Sequence, residues 1–119
     1  MKYAILNYAN EHDYATGKIH PPAFAAYAQA LSEAGVMVAA TGLQPTRTAT
    51  TVRVQDGQRS VQDGPFADTK EQLGGIYIID VPDLDTALEW AARNPAASLA
   101  GVEVRPIIGV EVRSIVHQT

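Results

Sequence analysis

The chain has 119 residues, enough for one domain that buries about two-thirds of its unfolded surface and too few for two. It is 46% hydrophobic and 18% charged, with no low-complexity tract or internal repeat, so it is globular rather than disordered. Nine basic against thirteen acidic side chains leave a formal charge of −4, which disfavours nucleic acid or an anionic membrane as partner; zero cysteines remove disulfides, thiolate metal sites and thiol nucleophiles.

Met1-Lys2 leads directly into a short alternating run, with no apolar stretch suited to a signal peptide or to the ~20 residues of a membrane span, so a soluble cytoplasmic protein is expected. Lys2 to Tyr8 (KYAILNY) reads as a strand buried on both faces and therefore central in a sheet. Asn10 to His20 is a polar connection. Pro21-Pro22 then open an amphipathic helix, with Phe24, Tyr27, Ala28, Leu31 and Ala34 at helical spacing and Gly35 at the C-terminal cap. Val36 to Thr41 is a second strand. Thr50–Val54 and Arg59–Val61 flank Asp56-Gly57, a dipeptide that tolerates positive φ at both positions and so marks a hairpin. Asp63 to Gly75 (DGPFADTKEQLGG) is longer and more polar than a turn requires and reads as a functional loop. Gly75 to Val81 (GIYIIDV) is a β-branched and aromatic strand. Asp83 opens a second helix, which Asn94-Pro95 ends because proline disfavours helical backbone at the residue before it. Val102 to Ile108 is a final strand whose Pro106 points to a sheet edge or a bulge, and Gly109 to Thr119 forms a strand-like tail.

The order β-α-β, hairpin, polar loop, β-α-β is the split βαβ arrangement of a ferredoxin-like α+β sandwich with an inserted β-hairpin. The whole chain forms one domain, with a core of about 1–108. Two helices cover one sheet face only, yet strands such as GIYIIDV are apolar on both sides. A second copy of the chain is the simplest cover, so the expected assembly is a homodimer in which two sheets pack face to face as a dimeric α+β barrel.

Three groups of residues are candidates for function. In the polar loop, Asp63, Lys70 and Glu71 offer acid, base or ion-pair groups beside a pocket walled by Phe66; alternatively Asp63 only caps its turn and the two charges are solvated. His12 and His20, with Glu11 and Asp13, are metal-ligand types, but their flexible separation fixes no geometry. They read as loop histidines, His20 being the better pocket candidate, and no metal or cofactor is expected. Tyr3, Tyr8, Tyr27 and Tyr77 stand on elements that line the core or a sheet–helix cleft, and Tyr27 is included as a ligand-binding candidate. No catalytic residue is assigned.

The run DGPFADTKE, Asp63 to Glu71, resembles the signature of the DGPF group of YCII-related proteins, with Asp68 where that pattern usually has Glu. GLQPTRTATTVRV before it, EQLGGIYIIDVPDLDTALEWAARNP after it and GVEVRP near the end share the resemblance. It implies a ferredoxin-like fold that forms a dimeric barrel, and a biochemical function largely undefined in the group. Some of its genes adjoin or are fused to those for extracytoplasmic-function sigma factors. More distant YCII relatives use a His and Asp pair in the sheet–helix cleft, and at least one is a dehydrochlorinase acting on a chlorinated aromatic. That His lies on the first helix, where this chain has Phe24, Ala25 and Tyr27. Two functions follow as expectations: a regulatory module binding a small molecule or a sigma factor, or a small-molecule enzyme of lyase or hydrolase type. Acid–base work in the enzyme would fall to Asp63 or His20, with Lys70 holding an anionic group. The missing helix His and the lack of a nucleophile with a base favour the first.

Overall fold

The computed structural model describes residues 1–108; the expected strand-like tail, Gly109 to Thr119, lies outside the described residues. The first strand, β1 (Lys2–Asn10), runs into a short helix, α1 (Glu11–Ala15), where the sequence suggested only a loop. Helix α2 (Pro21–Glu33) leads to β2 (Met37–Gly42). A one-turn 3-10 helix at Thr46–Thr48 precedes the hairpin strands β3 (Thr50–Gln55) and β4 (Gln58–Asp63), and β5 (Glu71–Asp80) follows. Helix α3 (Leu84–Arg93), a 3-10 turn at Pro95–Ser98 and β6 (Gly101–Pro106) complete the order.

Strands β2, β5, β1 and β6 form one sheet in that spatial order, each neighbour antiparallel. Thus β1 and β2 are parallel but split by β5, and β5 and β6 are parallel but split by β1. This is the ferredoxin-like split βαβ arrangement, with β3 and β4 paired outside it as a separate two-stranded sheet. The expected central position of β1 and edge position of Pro106 both hold.

Local chemistry sets the boundaries. Helix α2 begins on Pro21 and ends in paired bonds, Val36 N–H to the Leu31 carbonyl at 3.1 Å and Gly35 N–H to Ser32 at 3.0 Å. That closure needs positive φ, and Gly35 supplies it at 74°. Helix α3 is capped by Asp83, whose Oδ1 accepts from Thr86 N–H at 2.9 Å and from Thr86 Oγ1 at 2.7 Å; these bonds hold the carboxyl below its ordinary range. Asp56 and Gly57, both at positive φ, close the hairpin as its composition requires.

The polar loop is shorter than the sequence suggested. Glu71 to Gly74 already belong to β5, because the far end of β1, Tyr8 to Asn10, supplies them with a pairing strand. Only 64–70 connects β4 to β5. The ladder skips one residue there, since Asn7 faces Gly75 while Tyr8 faces Leu73, leaving Gly74 as a β-bulge. Two adjacent glycines that look like the end of a loop are therefore an irregularity inside a strand.

One sheet face carries Tyr3, Ile5, Tyr77, Ile79 and Val81 against Tyr27 and Leu31 of α2 and Ala87 and Ala91 of α3. Ile5, Leu31 and Ile79 are fully enclosed. The opposite face carries Ala4, Leu6, Ile76 and Ile78, half-buried by the sheet alone, because both long helices lie on the other side. Leu31→Ala is expected to lower the unfolding free energy by about 2–5 kcal/mol in urea titrations, the range for an enclosed side chain whose cavity cannot collapse.

Candidate ligand-binding cleft

The inward-facing positions of β1 are Tyr3, Ile5, Asn7 and Ala9. The first two lie under the helices, but at Asn7 the cover gives way to a cleft of about 340 Å³ between the sheet and the start of α2. Phe24 and Ala28 of α2 line it with Ile19, Leu43 and Leu99, and Gly74, Gly75 and Tyr77 of β5 form part of its floor. Among the described residues, its lining contains no Asp, Glu, Lys, Arg or His. Gly75 has a packing reason: a Cβ there would stand 3.2 Å from the Thr41 carbonyl and 3.7 Å from Asn7 Nδ2, so a side chain would wedge β2 away from the floor.

Asn7 is only 6% exposed and would be costly without partners. Its Oδ1 accepts from Asn94 Nδ2 at 2.6 Å, and Asn94 Oδ1 accepts from Ala96 N–H at 2.9 Å. Asn94, 2% exposed, thereby ties β1 to the 3-10 turn that carries Ala96 and Leu99 to the cleft. Asn7 Nδ2 has no partner among the described residues. No side-chain nitrogen or oxygen sealed from solvent is left unpaired there, so this nitrogen is not sealed; it lies beside Gly75, which lines the cleft with Asn7. Tyr77, 7% exposed, also lines the cleft, and its hydroxyl has no partner among the described residues.

Tyr77 packs edge-on against Tyr27, with ring centroids 5.1 Å apart, and Tyr27 in turn meets Trp90 at 6.4 Å. The Tyr27 hydroxyl donates to the Trp90 carbonyl at 2.6 Å, so Tyr27 is spent on joining α2 to α3. Burial pushes both phenols up, Tyr27 furthest.

None of the six residues singled out from the sequence lines this cleft. His20 is the exposed residue before α2, its side chain capping nothing, between Ile19 and Pro21, which do line the cleft. Asp63 is exposed at the end of β4, paired with Thr50. Phe66, expected as a pocket wall, is 75% exposed and lies under the Arg53 guanidinium at 4.8 Å. Lys70 and Glu71 border a second, shallow groove with Tyr8, Thr69 and Glu103, where the Tyr8 hydroxyl donates to Glu103 at 3.2 Å. In the first polar connection, the Glu11 carboxylate is taken up by Thr46, accepting from its N–H at 2.8 Å and from its hydroxyl. Of the aromatic candidates, Tyr77 and Tyr8 reach the cleft, as does Phe24. Asn7 and Asn94 were missed. The signal for Asn7 was a polar residue in phase with Tyr3 and Ile5, obscured by reading the strand as apolar on both faces.

The raised tyrosines give a pH dependence with a definite sign. An unfolded tyrosine ionises near 10.0 while Tyr27 and Tyr77 still hold their protons in the fold. Above that pH the folded state binds more protons, so stability falls as pH rises. Thermal melts are expected to lose stability from these groups only above pH 10, and Tyr27→Phe to flatten that alkaline decline.

A family model described as the YCII-related domain matches residues 1–111. An uncharacterised protein of Rhizobium meliloti (strain 1021) is 47% identical over 77 residues, 63% of this chain. The match takes in 62% of that relative's length. A solved structure, the 5-chloro-2-hydroxyhydroquinone dehydrochlorinase TftG of Burkholderia phenoliruptrix AC1100 in complex with 2,5-dihydroxybenzoquinone, superposes with a TM-score of 0.56 over 91% of this chain and 94% of the other. At 15% identity the two share the fold. The family match spans all of the described residues: the chain belongs to the YCII-related family.

Proposed function

We propose that this protein is a cytoplasmic small-molecule-binding module of regulatory type, whose ligand is compact, largely apolar and held in the cleft between the sheet and α2. The observation that carries this reading is a mostly apolar cleft of about 340 Å³ whose lining includes two largely buried polar side chains, Asn7 and Tyr77, with Asn7 Nδ2 and the Tyr77 hydroxyl unpartnered among the described residues. Concave apolar sites with a few convergent polar groups are the usual form of a ligand pocket. The 2,5-dihydroxybenzoquinone of the structural neighbour's complex is a compact ring, of a size that suits a cleft of this volume.

Binding without turnover is favoured over the enzyme reading because general acid–base catalysis needs a group that exchanges protons near the working pH. Among the described residues, tyrosines are the only titratable side chains in the lining, and burial moves Tyr8 and Tyr77 further from neutrality. Helix α2 carries Phe24, Ala25 and Tyr27 where, by the family resemblance, distant relatives place a histidine. A sigma factor as the regulated partner rests on the family resemblance alone.

Ligand-observed NMR with neutral, naphthalene-sized aromatics is expected to detect binding that Ala28→Phe abolishes by filling the cleft, with little change in melting temperature. Binding unaffected by that substitution would move the site elsewhere. Release of chloride from chlorinated hydroquinones by the purified protein would overturn the binding-only reading in favour of an enzyme.

The outer sheet face supports a homodimer. Leu6, Ile76 and Ile78 lie on the side opposite α2 and α3, and the hairpin presents Val52, Val54 and Val61 at 57%, 66% and 55% exposure. A lone two-stranded hairpin is marginal in water, so cover by a second copy would stabilise both surfaces. Light scattering is expected to give twice the 12.7 kDa of one chain, and Ile78→Asp to yield monomer or unfolded protein, because an interface core tolerates no unpaired charge. A wild-type mass of one chain would exclude the dimer.

A further inference from the structure

A carboxamide has a donor end and an acceptor end, and its partners alone decide which of them meets a ligand. Here the decision starts from a backbone group that cannot be reversed. Ala96 N–H can only donate, so Asn94 turns Oδ1 toward it and Nδ2 away. Asn94 Nδ2 can only donate, so Asn7 must answer with Oδ1. The end of Asn7 left for the cleft is therefore the amide nitrogen, beside Gly75. Burial keeps Tyr77 protonated well past neutral pH, so its free hydroxyl also has a proton to give. Among the described residues no cationic side chain lines the cleft, and an anion entering it would lose its hydration without a countercharge from them.

Resting on the cleft as the ligand site, we infer that it selects a neutral planar molecule through a carbonyl-type acceptor oxygen held by the Asn7 amide and the Tyr77 hydroxyl. Asn94 is the positioning residue that keeps the Asn7 donor turned inward. A carbonyl oxygen has two lone pairs and suits two donors; a ring of equal size without an acceptor leaves both donors buried and unpaired, which is how such sites discriminate.

The test compares coumarin, naphthalene and 2-naphthoate on the nitrogen-15-labelled 119-residue chain. Coumarin is expected to bind about tenfold or more tighter than naphthalene, the effect of a net hydrogen bond or two, and to shift the Asn7 side-chain amide resonances, while 2-naphthoate binds worst. Asn7→Leu and Asn94→Ala should each remove coumarin's advantage without weakening naphthalene, which Asn7→Leu relieves of an unpaired donor. A merely structural role for Asn94 would weaken both probes alike and would overturn its assignment. Asn94→Asp gives an independent arm if Asn94→Ala fails to fold. Its carboxylate accepts from Ala96 N–H and from Asn7 Nδ2, turning Asn7 Oδ1 into the cleft, so coumarin should weaken and the donor 2-naphthol gain. Equal binding of coumarin and naphthalene, unaltered by Asn7→Leu, would overturn the inference while leaving the cleft as a site. Failure of every neutral probe to shift any cleft resonance would overturn both.

Discussion

The pairing of β1 with β5 is the constraint on which the rest of this structure depends. β1 runs through the middle of the sheet, and its inward set, Tyr3, Ile5, Asn7 and Ala9, is fixed in phase by nine partners on β5. A slip of one residue would turn Ile5 outward and expose the centre of the core. The ladder's one irregularity, the bulge at Gly74, lies where the inward set changes from hydrocarbon to Asn7. Gly74 also offers its carbonyl to Leu43 N–H at 2.9 Å, which carries the chain leaving β2 past the cleft. The bulge therefore shapes the floor and holds Leu43, a lining residue of the same cavity.

The bond between Asn7 and Asn94 lies at the same place and ties the two halves of the chain together. The residues are 87 positions apart and the contact is buried. An apolar pair of similar shape would satisfy the core equally well, because two buried amides gain only a modest net stability from bonding each other. What the amides add is direction. Through Ala96 N–H the polarity of one backbone group in a 3-10 turn is passed to a side chain on the central strand, and that side chain is left with one donor to spare. A core built only for stability has no use for a spare donor facing a cavity.

Much of the fold was legible in the sequence because its signals are local: Pro21-Pro22 and Gly35 bound α2, Asp83 and Pro95 bound α3, and Asp56-Gly57 closes the hairpin. Strand order followed from the succession of elements. The candidate site was much less legible, because it depends on register and on long-range contacts. Tyr77 could be placed near a cleft from the strand that carries it, but Asn7 is informative only once Tyr3 and Ile5 are known to share its face, and Asn94 only once Ala96 and Asn7 are seen on either side of it. Charge drew attention to Lys70 and Glu71, although a cleft lined by uncharged groups leaves little trace in composition.

The conspicuous DGPF segment has a structural task in this arrangement. The hairpin β3–β4 stands apart from the main sheet, and its strands are exposed almost throughout. Its base is closed where Gly64, at a φ of 109° that a side chain would strain, donates its N–H to the Ala49 carbonyl at 2.8 Å and accepts from Thr51 Oγ1 at 2.8 Å. Arg53 then stacks on Phe66 and reaches the Phe66 carbonyl at 3.4 Å. Gln72 binds the carbonyls of Ala67 and Thr69 at 2.7 and 3.0 Å, so the connection is tied at both ends. The segment thereby aims the hairpin and delivers the chain to Glu71 in register for β5. That register brings Gly74 and Gly75 opposite Asn7, so the most recognisable residues in the sequence bear on the cleft through the strand they position.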